Sequence, residues 1–152
     1  MNRRAIIKNI ITEEEAKQLP PLKQFVLLKD GEQNNPVIQK IMKTIIDYAK
    51  LIWRLEVKIH EKSFCRVDQK LEGHVWHVDT GTHNHMPWCT VGATILLSEP
   101  TDYEGGEIFY RHDGKVSYLG ERSRYDLYMH TSDVEHMVNP HTGERKVFLM
   151  FI

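Results

Sequence analysis

Residues 143–151 read Gly143-Glu144-Arg145-Lys146-Val147-Phe148-Leu149-Met150-Phe151. The architecture follows from this run. Lys146 to Phe151 is predicted as a strand, rich in the apolar and β-branched residues that suit a pleated surface. Side chains alternate across a strand, so Arg145 falls in register with Val147, Leu149 and Phe151 and shares the apolar, inward face of a barrel. A guanidinium buried there is too costly to leave unpaired. Its partner is either a carboxylate of the protein itself or a ligand carboxylate gripped by the planar two-pronged fork.

From about residue 57 onward the same period of two recurs. Ser63 to Val67, Thr90 to Leu97, Glu107 to Tyr110 and Tyr125 to His130 are short runs of this kind, separated by Gly, Asp, Asn and Pro. Many short strands at close spacing predict a sandwich or barrel. Before residue 57 the pattern is helical. Thr12-Glu13-Glu14-Glu15 fits a capping box and predicts a short helix over about 12–18, ended by Pro20-Pro21. Asn35-Pro36 supplies a cap and a first-turn proline to a second helix, whose stripe of Ile38, Ile41, Met42, Ile45, Ala49 and Ile52 runs to about Trp53. Such a stripe packs on something flat. The expectation is one α+β, mainly β domain over 1–152, with a helical buttress at about 1–56 and a β core at about 57–152.

A chain of 152 residues is the size of a single domain. With 41% hydrophobic and 27% charged residues it has the composition of a compact globular protein, and disordered and fibrous classes are excluded. At this length the fold needs neither disulfide nor metal to hold it together, so any metal site is expected to be functional. Lys+Arg 20 against Asp+Glu 21 leaves a formal charge of -1, and no global basic field recruits nucleic acid or an anionic membrane. Cys65 and Cys89 have no CxxC spacing and predict a reducing compartment, the cytoplasm by default. The start, Met1-Asn2-Arg3-Arg4-Ala5-Ile6-Ile7, lacks a signal-peptide core, and no window approaches the ~18 apolar residues of a membrane span.

The unusual count is nine histidines, eight of them after residue 70. In His74-Val75-Trp76-His77-Val78-Asp79, an extended segment would project His77 and Asp79 to one side, which makes half of a metal site. His136, in His136-Met137-Val138-Asn139-Pro140, would complete two imidazoles and one carboxylate. That set suits non-haem Fe(II), which keeps three positions open. Catalytic zinc uses similar ligands, so the residue types alone leave both metals open.

Taken in order, His77-Val78-Asp79, Thr94-Ile95-Leu96-Leu97, Tyr103-Glu104-Gly105-Gly106-Glu107-Ile108, His136-Met137-Val138-Asn139-Pro140 and Gly143-Glu144-Arg145 resemble the Fe(II)/2-oxoglutarate-dependent dioxygenases, prolyl 4-hydroxylase-like branch. That family pattern is a His-x-Asp, a strand, a Gly-Gly-Glu turn, and a distal His followed nine positions later by Arg. The resemblance covers about residues 62–152. It implies a double-stranded β-helix, a jelly-roll barrel with supporting N-terminal helices. It also implies Fe(II) held by His77, Asp79 and His136, with 2-oxoglutarate as cosubstrate and its distal carboxylate on Arg145. The resemblance further implies O2 as the oxidant and leaves room for ascorbate as an auxiliary reductant. The reaction implied is hydroxylation of an unactivated C–H with release of succinate and CO2.

The chain departs from the branch where tyrosines usually meet the oxoglutarate carboxylate. Arg66 or Val67 and Leu96 stand in those places, and Thr94 is the inward hydroxyl left to help. His74, three positions before His77, is expected on the opposite face of the strand. His83 and His85 read as loop residues, Gly105-Gly106 as turn geometry, and Trp76, Trp88 and Tyr110 as core or rim aromatics. The likeness favours a peptidyl, prolyl-type, or free amino-acid side chain as substrate, a small molecule or a peptide or protein. Two other readings are a nucleic-acid demethylase and a non-catalytic metal-binding sensor. The first usually carries a second Arg six positions after the first, where this chain has Phe151. The second has no need of both a triad and Arg145.

Overall fold

The computed structural model describes residues 3–29, 35–80, 86–118 and 122–152. His83 and His85 lie outside the described residues. Among the described residues the strands and α-helices follow in the order β1 (Arg4–Ile7), α1 (Glu13–Ala16), β2 (Val26–Leu27), α2 (Pro36–Trp53), β3 (Phe64–Asp68), β4 (His74–His77), β5 (Val91–Leu96), β6 (Tyr103–Gly105), β7 (Ile108–His112), β8 (Lys115–Tyr118), β9 (Leu127–Thr131), β10 (Glu135–Val138), β11 (His141–Gly143) and β12 (Val147–Phe151). A six-stranded sheet runs β1-β9-β5-β12-β3-β2, a four-stranded sheet runs β4-β10-β7-β8, and β11 pairs with β6. All strand pairs are antiparallel. The two main sheets make the jelly roll that the sequence resemblance implies. No helix among the described residues is long and apolar enough to cross a membrane.

Both expected helices form for the expected reasons. The Thr12 hydroxyl accepts from the Glu15 N–H at 3.1 Å and the Glu15 carboxylate accepts from the Thr12 N–H at 3.0 Å, a reciprocal capping box. Asn35 Oδ1 accepts from the N–H groups of Val37 and Ile38, Pro36 fills the first turn, and α2 ends where Arg54 turns left-handed at φ 53°. Its buried stripe is Val37, Ile38, Ile41, Ile45 and Ala49. Ile52, expected to continue that stripe, is 45% exposed, because the last turn rotates it past the edge of the sheet-facing side.

The reading of residues 1–56 as a wholly helical buttress needs correction. β1 pairs with β9 and β2 with β3, so the N-terminal segment supplies both edge strands of the large sheet. These strands have four and two residues, too short for a period of two to register beside helical neighbours.

The large sheet divides its residues by parity. Ala93, Ile95, Cys65, Val67, Met129, Phe148 and Met150 face outward into the main core, where Ile38, Ile41 and Ile45 of α2 pack. The alternate residues, Thr94, Arg66, Tyr128 and Leu149, lie opposite one another across β5, β3, β9 and β12 and face the barrel interior. That interior holds a second, smaller buried cluster of Ile108, Tyr110, Tyr128 and Val134. The larger packed core lies outside the barrel, and the inside keeps a cavity that His77, Asp79, His136 and Arg145 share with apolar walls. Cys65 and Cys89 are buried and unbridged.

Candidate metal centre and anion end of the cavity

His77 on β4 and His136 on β10 stand directly opposite each other in the antiparallel pair. Asp79 follows two residues beyond β4, anchored by its N–H donating to the Ser132 carbonyl at 3.0 Å. One ligand atom from each of the three lies within 4.8 Å of the others. The Nε2 atoms of His77 and His136 each stand 3.6 Å from Asp79 Oδ1. On the far side of each ring, Nδ1 meets a backbone carbonyl two residues earlier, Val75 at 2.7 Å and Val134 at 2.8 Å. A carbonyl only accepts, so Nδ1 carries a proton in both rings and Nε2 is the ligating nitrogen turned toward the carboxylate. Two imidazoles and one carboxylate converging on a common space form a donor set suited to Fe(II).

The electrostatics favour the ligating forms of Asp79 and His136. Burial pushes the Asp79 carboxyl upward, but His130, His77 and His136 around it outweigh that and hold it well below the usual carboxylate range. His136 is lowered to about 3 by burial, with His130 and His77 beside it, so it stays neutral. The second Asp79 oxygen, Oδ2, lies 2.7 Å from His130 Nε2 on β9. Gly92 of β5 makes room for this contact. A Cβ there would stand 2.4 Å from Asp79 Oδ2 and 2.9 Å from His130 Nε2.

His74 is not where strand alternation puts it. Its Nδ1 lies 2.6 Å from His77 Nδ1, on the same side of the sheet. The pairing His136 with His77 and Val138 with His74 sets three steps of β4 against two of β10. This β-bulge inserts one residue and reverses the facing of everything before it.

The triad lines a cavity of ≈ 880 Å³ that also takes in Arg66, Thr94, Arg145, Leu149 and Phe151. Arg145 precedes β12 and holds the predicted register with Val147, Leu149 and Phe151, all of which line this cavity. It is only 6% exposed, yet no carboxylate oxygen among the described residues lies within 4.0 Å of it. Glu107, close enough to be felt electrostatically, accepts a hydrogen bond from Asn139 at 3.1 Å instead. The Arg145 Cζ lies 5.8 Å from the centre of the Tyr103 ring, and the Arg145 Nε is buried without a partner. Burial accordingly lowers the Arg145 pKa against the raising effect of Tyr103. Gly105 and Gly106 do serve a turn, at φ +85° and +72°, and Gly106 also clears the space the guanidinium fills. A Cβ on Gly106 would come within 2.5 Å of Arg145 Cδ and Nε.

Thr94 faces the cavity as expected, with its hydroxyl accepting from Arg122 Nη1 at 2.6 Å. Arg122 and His130 are the residues that sequence reasoning misses. Arg122 lies in a polar stretch without period. His130 ends a predicted strand, where its parity with Tyr128 gave the one usable signal. Among the aromatics, Trp76 lines the cavity with the Arg111 guanidinium 4.0 Å from its ring, Trp88 stacks with His60, and Tyr110 is buried.

No family model and no curated protein matches the sequence. Solved structures do. A prolyl-4-hydroxylase from Pseudomonas putida superposes with a TM-score of 0.67 at 16% identity, over 100% of this chain and 85% of that one. A prolyl 4-hydroxylase from Phytophthora capsici gives 0.65 at 16% identity, over 97% and 57%. A prolyl hydroxylase from Trichoplax adhaerens, solved in complex with a hypoxia inducible factor oxygen degradation domain peptide fragment, gives 0.61 at 14% identity, over 98% and 83%. The chain has the jelly-roll fold of the 2-oxoglutarate Fe(II) oxygenases.

Proposed function

We propose that this chain is an Fe(II)- and 2-oxoglutarate-dependent hydroxylase acting on a peptidyl or free amino-acid side chain. One observation carries the reading: a single cavity has a His77, Asp79 and His136 donor set and an Arg145 guanidinium with no carboxylate among the described residues within 4.0 Å. A dicarboxylate that chelates at one end and is gripped at the other matches both. When bound, Fe(II) supplies the activation of dioxygen that oxidises the oxo acid to succinate and CO2 and hydroxylates the substrate C–H.

The protein's own part is positioning. His77 and His136 offer Nε2, the Val75 and Val134 carbonyls fix their rings, and His130 holds the spare oxygen of Asp79. Arg145 orients the cosubstrate carboxylate, and Val147, Leu149 and Ile108 keep the walls between the two ends dry. Phe25, Phe64 and Trp76 line the same cavity, and Phe25 is 53% exposed, an apolar mouth that suits a side chain presented from a peptide. In this reading residues 1–152 work as one catalytic domain, and the unbridged Cys65 and Cys89 support a cytoplasmic setting.

The test separates the two ends of the cavity. His136→Ala should abolish tight Fe(II) binding. Arg145→Ala should leave Fe(II) binding nearly intact while weakening 2-oxoglutarate by roughly 2–5 kcal/mol, and Arg145→Lys should recover only part of that loss. Anaerobic titration of 2-oxoglutarate, followed by its charge-transfer band with Fe(II), reads the dissociation constant. An unchanged constant in Arg145→Ala, or no succinate formed with any peptide or amino-acid substrate, would remove the assignment.

A further inference from the structure

Arg122 is a second buried guanidinium beside the first. It precedes β9, is 8% exposed, and feels Arg145 as a like charge. Among the described residues no carboxylate oxygen lies within 4.0 Å of it either. Its Nη1 donates to Thr94 Oγ1 at 2.6 Å, its carbon Cζ lies 4.4 Å over the Tyr128 ring, and its Nη2 is buried without a partner. Burial and the neighbouring Arg145 lower its pKa to about 10, which leaves it charged at neutral pH. Two cations enclosed together cost stability unless an anion joins them.

Arg122 lies outside the lining of the metal cavity, in a smaller adjoining pocket with Tyr103, Gly106 and Tyr128, and its link to the larger cavity is the Thr94 hydroxyl, which lines it. A hydroxyl that accepts from a guanidinium has its own proton left to donate. Because Thr94 lines the cavity with Arg145, that proton is available to an acceptor lying between them. We propose that Arg122 is a positioning residue for the ligand's distal carboxylate: it fixes the Thr94 hydroxyl as a donor into the cavity and, with Arg145, makes that end discriminate a carboxylate from a neutral group. The inference rests on the reading that the cavity takes an oxo diacid, and it names what recognises the diacid's far end.

The experiment compares 2-oxoglutarate with 2-oxopentanoate, which keeps the chelating end and carries a methyl in place of the distal carboxylate. Both are titrated by calorimetry into anaerobic Fe(II)-loaded protein. Arg122→Met should weaken 2-oxoglutarate roughly tenfold or more, about one charge-assisted hydrogen bond, and leave 2-oxopentanoate within about twofold. Thr94→Val should reproduce that selective loss, and the double variant should lose little more than either single one. Arg122→Lys should recover part of it. Without ligand, Arg122→Met should melt no lower than the wild type, since an unpaired buried charge has been replaced by an apolar chain of similar length. Equal losses for both oxo acids with a lowered melting temperature would mark a structural role and overturn the proposal. So would an unchanged preference in Arg122→Met, while the proposed function would stand. A wild type that binds no 2-oxoglutarate would overturn both.

Discussion

Asp79 is held from both sides, and the residue that makes this geometry fit has no side chain. Its Oδ1 faces the two candidate ligand histidines, its Oδ2 faces His130, and Gly92 leaves the gap in which the second contact forms. In Gly92→Ala the methyl would have to displace the carboxylate or the imidazole, both held by neighbours. We expect a stable, folded variant whose Fe(II) or Mn(II) affinity falls by roughly 10- to 100-fold, the usual cost of disturbing a group that orients a ligand. Calorimetric or spin-resonance titration of Mn(II) measures it, and unchanged affinity would mean that Asp79 keeps its place without His130. His77, Asp79, His136 and Arg145 were legible because residue type and spacing each restrict them. His130 and Arg122 were not, because their roles come from long-range strand pairing, which brings positions 79 and 130, or 94 and 122, together without any local pattern.

At the scale of elements, the strands with strong alternation were readable to within one or two residues, and α2 nearly to its caps. Structure departs from local pattern where an element is short or its period broken, as in β1, β2 and the bulged β4. β1 is tied down at its end by Asp126, just before β9. This carboxylate accepts from the N–H groups of Asn9 and Ser123, each at 3.0 Å, and pairs with Lys8. Burial raises its pKa, but the Lys8, Ser123 and Asn9 contacts prevail and the net shift is downward. A depressed native pKa means that the unfolded chain binds the proton first, so the contact stabilises the fold above the unfolded value of about 3.9. That contribution is lost as pH falls through the native value. Asp126→Asn should therefore cost roughly 1–3 kcal/mol at pH 7, and the difference from wild type should shrink once the pH drops below about 4. Urea unfolding at several pH values checks this, and a gap that does not change with pH would point to packing instead.

For the whole molecule, the separation of an outer packed core from an interior cavity means that stability and ligand binding should respond to different substitutions. Ile45, fully buried between α2 and the back of the large sheet, belongs to the first group. Ile45→Ala should cost roughly 2–5 kcal/mol in urea unfolding, yet leave the Fe(II) and 2-oxoglutarate dissociation constants within about twofold when measured well below the transition. A large change in either constant would show that the sheet transmits strain from one face to the other. The same parity has a consequence for how such a protein could acquire new chemistry. Along β3, β5, β9 and β12, Arg66, Thr94, His130, Leu149 and Phe151 border the cavity while their chain neighbours Cys65, Val67, Ile95, Met129, Phe148 and Met150 border the core. A combinatorial library that randomises only Arg66, Leu149 and Phe151 would re-shape the substrate chamber while each variant inherits an intact scaffold. Directed evolution of specificity could thus proceed on three codons without compensating mutations elsewhere in the gene.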